Sequence, residues 1–121
     1  MANILIVEDE AIVAMENKMN LNKAGHQIIA IVSTGEAAIS AFSENIPDLM
    51  LMDIKLRSEV DGIQVMEIIR QSSSVPVLFL TGNSDSKTRE RIGNIANSSF
   101  LLKPTLTKDI VNEVNRLLSH K

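Results

Sequence analysis

Five short runs of consecutive apolar residues, separated by longer segments of mixed polarity, constrain the fold more than any other feature of the sequence. The runs cover residues 4–7, 28–32, 49–52, 75–80 and 100–102. Each run is apolar throughout rather than at every second position, which is typical of strands that are covered on both faces. The sequence therefore predicts an α/β fold, in which helices flank both sides of an open, five-stranded parallel sheet.

The first two helices are predicted from the segments that follow the first two runs. Apolar residues recur there at spacings of three and four, at Ile12, Met15 and Met19. We expect these side chains to pack inside, and the helix to stop at Gly25. For the second helix, Ser33 lies three residues before Glu36, which indicates a capping box.

The remaining helices are predicted with unequal support. Residues 63–70 and 110–118 carry apolar side chains at helical spacing and predict the third and fifth helices. The segment 84–97 has almost no apolar face before Ile92 and contains Gly93, a poor helix former. It therefore predicts a marginal fourth helix.

Composition excludes several classes of function. The chain has 121 residues, no cysteine and a formal net charge of −3, so disulfides and thiolate chemistry are excluded and no basic surface for nucleic acid is expected. It has no Trp or Tyr on which single strands could stack. No apolar run is long enough to cross a bilayer, for which about 20 residues are needed. We expect a single cytoplasmic domain over residues 1–121, with no membrane insertion and no effector domain in this chain.

Polar and charged residues follow the apolar runs at the points where the strands are predicted to end. They are Glu8 and Asp9 after the first run, Asp53 after the third, Thr81 after the fourth and Lys103 after the fifth. In open α/β sheets, ligands bind at the carboxyl ends of the strands, near the point where strand order reverses. We therefore expect these side chains to meet at one rim of the sheet.

The charges at this rim favour a bound cation. Glu8, Asp9 and Asp53 contribute −3 and Lys103 contributes +1, which leaves −2. A site of oxygen ligands without His or Cys suits Mg²⁺, or Mn²⁺ in its place. Asp53 stands alone at the end of a central strand, and a carboxylate there can attack a phosphoryl group. Lys103 and Thr81 are candidates to hold the phosphoryl oxygens.

Five pieces of this sequence, in order and spacing, resemble the receiver domain of response regulators in two-component signalling. They are Ile4–Glu10, Asp48–Asp53, Asp61–Gly62, Val75–Gly82 and Phe100–Pro104. The resemblance covers essentially the whole chain. It implies a flavodoxin-like, doubly wound (βα)5 fold with strand order 2-1-3-4-5. It also implies a signalling domain that catalyses only its own phosphorylation and dephosphorylation.

The resemblance also implies a role for each site residue. Asp53 is similar to the phosphoacceptor, and Glu8 and Asp9 to the acidic pair that binds the metal together with Asp53 and the backbone carbonyl of Lys55. Lys103 resembles the phosphate-binding lysine and precedes Pro104 in a peptide bond that is cis in the family. The switch residues would be Thr81 and Phe100.

The partners implied by the family are a histidine kinase or a phosphotransfer protein, together with a downstream protein target and a phosphorylation-dependent dimer. The family's phosphorylated histidine belongs to the partner, so His26 and His120 need no role. The loop between Asp53 and Gly62 is one residue longer than the commonest family form. Phe100 also lacks the hydroxyl of the Tyr often found there.

Alternatives remain for the function and for single residues. A protein-interaction module with the same fold could act without phosphorylation. A Mg²⁺-dependent phosphohydrolase is disfavoured because Lys55 stands where such enzymes typically have a second Asp. Glu8 and Asp9 could mark no more than a helix start, since acids favour helix N-termini. Thr81 could be a turn residue alone, and Phe100 a core residue.

Overall fold

Five strands and five helices alternate along the part of the chain that the structure, a computed structural model, describes, residues 2–83 and 85–119. The strands are β1 (Asn3–Val7), β2 (Gln27–Val32), β3 (Leu49–Asp53), β4 (Val77–Thr81) and β5 (Ser98–Leu102). The helices are α1 (Ala11–Lys23), α2 (Gly35–Glu44), α3 (Gly62–Ile69), α4 (Ser86–Gly93) and α5 (Thr107–Leu118).

All neighbouring strands pair in parallel, in the order β2-β1-β3-β4-β5. Every residue of β3 and of β4 is buried, whereas β2 and β5 lie at the edges and are partly exposed. The predicted flavodoxin-like fold and its strand order are confirmed. Because β1 pairs with both β2 and β3, the order of the strands reverses at the carboxyl end of β1.

The sheet separates two apolar layers. Alternate residues of each central strand face opposite sides, so Ile4 and Ile6 pack with α1 and α5, whereas Leu5 and Val7 pack with the other three helices. Burial on both faces explains why these strands are apolar throughout.

Helix α3 has the predicted position, but the predicted cap of α2 is wrong. Thr34, not Ser33, is the N-cap of α2, and its Oγ1 accepts a hydrogen bond from the backbone N–H of Ala37 at 3.1 Å. The helix begins one residue later than a cap at Ser33 requires, which moves Glu36 out of the position that a capping box needs.

The predicted inner face of α1 is also wrong. Ile12, Met15 and Met19 are 76%, 56% and 52% exposed, so the methionines do not pack inside. The buried stripe is instead Ala14, Asn17 and Leu21. The exposed stripe and the buried stripe both have spacings of three and four. The buried stripe was missed because its central residue is a polar asparagine.

The fourth helix is shorter than predicted. Asp85 caps α4 by accepting from the N–H of Thr88 at 2.7 Å, and the helix ends at Gly93 rather than near residue 97. Ser84, the first residue of the predicted segment, lies outside the described residues, as does His120. Ile92 is the buried residue of this helix, in agreement with its weak apolar face.

Asn17 should destabilise the fold. Among buried side-chain atoms of the described residues, only its Nδ2 has no hydrogen-bond partner. An unpaired buried amide costs about 1–3 kcal/mol, so we expect Asn17→Leu to raise the free energy of unfolding by at least about 1 kcal/mol. Urea unfolding monitored by circular dichroism measures this change.

The matched control for this prediction is Asn20→Leu on the same helix. The Nδ2 of Asn20 donates to Thr107 Oγ1 at 3.0 Å, so this variant loses a hydrogen bond and should not gain stability. A less stable Asn17→Leu protein would contradict the assignment of an unpaired amide.

Candidate functional site

The carboxyl ends of β1, β3, β4 and β5 bring the predicted site residues to one rim. Asp53 and Thr81 are the last residues of β3 and β4, whereas Glu8 and Lys103 directly follow β1 and β5. The register pairs Val7 with Met52 and Asp53 with Leu80, so these strands end at the same level. Residues up to 95 positions apart in sequence therefore become neighbours.

Lys103 links two of the buried carboxylates. Its Nζ lies 3.2 Å from Asp53 Oδ2 and 3.4 Å from Glu8 Oε1. Burial of the ammonium acts to lower the pKa of Lys103, but the charges of Asp53 and Glu8 and their hydrogen bonds outweigh it, and that pKa is raised. Lys103 is thus a fixed positive charge beside Asp53.

Glu8 is the perturbed acid of the site. Burial, together with the adjacent Asp53 carboxyl, raises the pKa of Glu8 from its usual 4.5 to about 7. The backbone N–H of Glu10, which donates to Glu8 Oε2 at 3.2 Å, and the charge of Lys103 oppose this shift without cancelling it. One ammonium therefore does not neutralise the rim.

A second acidic group adjoins this pair. Carboxylate oxygens of Glu8, Asp9 and Glu10 all lie within 4.8 Å of one another. Glu10 was not predicted as a site residue; its position directly after two acids was the available signal. Asp9 also pairs with the exposed Arg57, whose Nε is 3.6 Å from Asp9 Oδ2. Arg57 supplies a second positive charge that sequence reasoning did not assign to the site.

The two residues predicted as switches lie on neighbouring strands. Thr81 is buried, and its hydroxyl donates to the carbonyl of Asn83 at 3.1 Å and accepts from the Asn83 N–H at 3.0 Å. Phe100 is half-buried on β5, opposite Phe79 of β4, and packs against the layer of α2, α3 and α4. In this conformation the hydroxyl of Thr81 closes a turn.

The loop from Ile54 to Asp61 starts directly after Asp53, and the residue that follows the loop packs against the backbone of Asp53. The N–H of Gly62 donates to the carbonyl of Ile54 at 2.8 Å. A Cβ at Gly62 would lie 2.3 Å from the backbone oxygen of Asp53, so only glycine permits this approach. Lys55, whose carbonyl was predicted as a metal ligand, is exposed in this loop. On the other side of the site, the Lys103–Pro104 peptide bond is cis.

His26 takes no part in this site. His26 lies between α1 and β2, where its Nδ1 accepts from the N–H of Ala2 at 3.3 Å and its Nε2 is 2.9 Å from Asn115 Oδ1. Among the helices of the described residues, none has the length and apolar character that a membrane span requires.

The structure thus combines a doubly wound parallel sheet with an acidic rim and a lysine that faces it. Residues 4–115 match the response regulator receiver domain family, and the chain belongs to this family. The predicted resemblance is therefore confirmed, and the chain is a receiver domain of the two-component type.

Relatives and solved structures agree with this assignment. The transcriptional regulatory protein PdtaR of Mycobacterium tuberculosis is 28% identical over 96% of this chain and 56% of its own length. A putative response regulator from Chloroflexus aurantiacus is 28% identical with a TM-score of 0.88, covering 98% of both chains. The receiver domain of a histidine kinase from Syntrophus aciditrophicus is 30% identical with a TM-score of 0.87, covering 99% of this chain and 92% of that one. The chain spans about half the length of the curated relatives it matches.

The raised pKa of Glu8 makes the stability of the metal-free domain depend on pH. The folded state holds an extra proton between pH 4.5, where the unfolded glutamate titrates, and about pH 7. Stability should therefore be highest below this window and fall as the pH rises through it. At about 1.36 kcal/mol per pKa unit, the loss is at most about 3 kcal/mol.

Unfolding by urea in EDTA at pH 5.5 and pH 8 measures this dependence. The control is Glu8→Gln, which cannot ionise, and the difference between the two proteins isolates Glu8 from the other titrating groups. Equal pH dependence in both proteins would show that Glu8 titrates normally.

Proposed function

We propose that Asp53 accepts a phosphoryl group from a phosphohistidine of a cytoplasmic histidine kinase or phosphotransfer protein. The observation that carries this proposal is the position of Lys103, whose Nζ lies 3.2 Å from Asp53 Oδ2 at the carboxyl end of a central strand. A fixed cation beside a nucleophilic carboxylate stabilises the charge of a transferred phosphoryl group without reorganisation.

The transfer exchanges one bond to phosphorus for another. A carboxylate oxygen of Asp53 forms a P–O bond, and the P–N bond to the donor imidazole breaks, with its electron pair returning to the ring. The product is an acyl phosphate on Asp53. The Lys103 ammonium, already directed at Asp53, would then pair with a phosphoryl oxygen.

The donor set fits a magnesium ion. Its members are oxygen ligands only, and the carboxylates of Glu8, Asp9 and Asp53 outnumber the single ammonium of Lys103. Glu8, Asp9, Asp53 and the backbone carbonyl of Lys55 would hold Mg²⁺ or Mn²⁺, whose charge would act on the phosphoryl oxygens. Arg57 would have to leave Asp9, its 3.6 Å partner, when the ion binds.

The signal would pass to the surface of α4, β5 and α5 through Thr81 and Phe100. Among the described residues, Asn83 is the hydrogen-bond partner of the Thr81 hydroxyl, and exchanging this turn for a phosphoryl oxygen would reposition the start of the loop before α4. Phe100, half-buried on the neighbouring strand β5 and opposite Phe79, would turn inward into the space that Thr81 leaves. The phosphorylated and unphosphorylated states of Asp53 would thereby favour different arrangements of this surface. A downstream protein, or a second copy in a phosphorylation-dependent dimer, would recognise it.

Intact-mass measurement tests phosphorylation directly. After incubation with acetyl phosphate and Mg²⁺, we expect wild-type protein to gain the mass of one phosphoryl group, because Asp53 is the nucleophile. Asp53→Asn has the same shape but lacks a carboxylate, and it should gain none. An unmodified wild type would instead favour a protein-interaction module that acts without phosphorylation. Modification of Asp53→Asn would place the acceptor elsewhere.

Asp9 provides a separate test of the metal site. Asp9→Asn removes one anionic ligand, so we expect at least a tenfold weaker Mg²⁺ affinity by isothermal titration calorimetry and slower phosphorylation. The matched control is Asp109→Asn, the same change at an exposed position in the first turn of α5. Equal Mg²⁺ affinity in Asp9→Asn and wild type would exclude Asp9 as a ligand.

A further inference from the structure

Helix α4 buries little apolar surface against the rest of the domain. It spans only Ser86–Gly93, and Ile92 is its buried residue, followed by Ile95 just beyond the helix end. Its N-terminal half consists of polar and charged side chains that lie largely in solvent. Elements with little buried apolar surface open at low free-energy cost. Polar contacts near Ile92 therefore have a large share in fixing this helix, and one of them is the Ser98 hydroxyl, which donates to the Ile92 carbonyl at 3.1 Å.

Arg91 makes such a contact with Asp61. Its two terminal nitrogens lie 2.9 Å from Asp61 Oδ2 and 3.1 Å from Asp61 Oδ1, a bidentate pair. The two side chains are 34% and 30% exposed. Exposed ion pairs typically contribute little, but bidentate geometry and partial burial place this pair among the stronger ones.

The Asp61 end of the pair is fixed. Asp61 caps α3, with Oδ1 accepting from the N–H of Gln64 at 2.8 Å, while the Gln64 side chain accepts from the Asp61 N–H at 2.8 Å. The next residue, Gly62, packs against the backbone of Asp53. The carboxylate of Asp61 is therefore joined rigidly to the phosphoacceptor strand, and Arg91 belongs to the weakly packed helix.

We propose that the Asp61–Arg91 ion pair tethers α4 in its resting position, and that α4 moves away only when this pair breaks. The tether links the loop from Ile54 to Asp61 directly to α4, by a route that includes neither Thr81 nor Phe100. Its strength sets how far the resting domain favours the unswitched arrangement. The part of this inference that concerns switching rests on the proposed function; the part that concerns the resting helix does not.

Amide hydrogen exchange of residues 89–95 in the unphosphorylated protein tests the tether. We expect Arg91→Ala to exchange about three- to tenfold faster in this segment, with exchange in β3 and β4 unchanged. Alanine is a better helix former than arginine, so the substitution itself does not weaken the helix. Arg91→Lys keeps the charge but not the bidentate geometry and should be intermediate.

Asp61→Asn tests the other end of the pair. Asparagine retains the oxygen that caps α3 but removes the charge and one acceptor. Its effect on α4 exchange should resemble that of Arg91→Ala, and the double variant should add nothing further, as expected for two partners of one interaction. Lys87→Ala, which removes the same charge from an exposed position of α4, is the matched control and should leave exchange at the wild-type rate. Additive effects, or wild-type exchange in Arg91→Ala, would overturn the tether.

Phosphorylation separates this inference from the proposed function. With acetyl phosphate and Mg²⁺, wild-type α4 should exchange faster, and the increase should be smaller in Arg91→Ala because its helix is already released. A wild type that is not phosphorylated refutes the proposed function, while the resting comparison still decides the tether. A phosphorylated wild type whose increase equals that of Arg91→Ala retains the function and refutes the role of the tether in switching.

Discussion

The contact of one ammonium with two buried carboxylates is the interaction on which this site depends. Lys103 reaches Asp53 and Glu8 only because β1, β3 and β5 end at the same level, and a shift of one residue in any strand would reverse the side chains that it presents. Packing opposes such a shift in the central strands, because the side chains on both faces of β3 are buried within the two apolar layers. The core thus fixes the register, and the register fixes the distances at the rim.

The same rim is a source of instability in the resting domain. Glu8 is almost completely buried beside Asp53, and its raised pKa means that ionising it in place opposes folding. A neutral side chain would avoid this cost, but it would also remove a ligand for a cation. Asn17 presents a similar conflict on α1, where a polar group is buried without a partner. These two buried polar groups oppose folding, whereas the two layers of the core are built from buried apolar side chains.

The strands and the positions of the site residues could be predicted because each is determined by a short stretch of sequence. A buried strand is apolar over four or five residues, and the residue after it lies at the rim by the geometry of a parallel sheet. The failures were of another kind. Helix α1 has two stripes with helical spacing, and either could have faced the sheet. The stripe that does so contains the polar Asn17, so it was not recognised as the inner face. Arg91 and Asp61 are 30 positions apart, and no local pattern relates them. Arg57 likewise meets Asp9 only through the fold, whereas Glu10 directly follows two acids in the sequence.

The long loop between β3 and α3 gathers these unpredicted contacts in one segment. Arg57 pairs with Asp9, the hydroxyl of Ser58 accepts from the N–H of Gly35 at 3.1 Å, and Asp61 pairs with Arg91. The loop is therefore attached to the metal-ligand candidates, to the start of α2 and to α4. A Cβ on Gly35 would lie 2.3 Å from Val60, so α2 and the loop are also in direct packing contact. A cation that binds Asp9 in place of Arg57 would free one part of this loop, whose end is paired with α4 through Asp61 and Arg91. The loop thus connects the metal-ligand candidates to α4 by a route that passes through neither Thr81 nor Phe100.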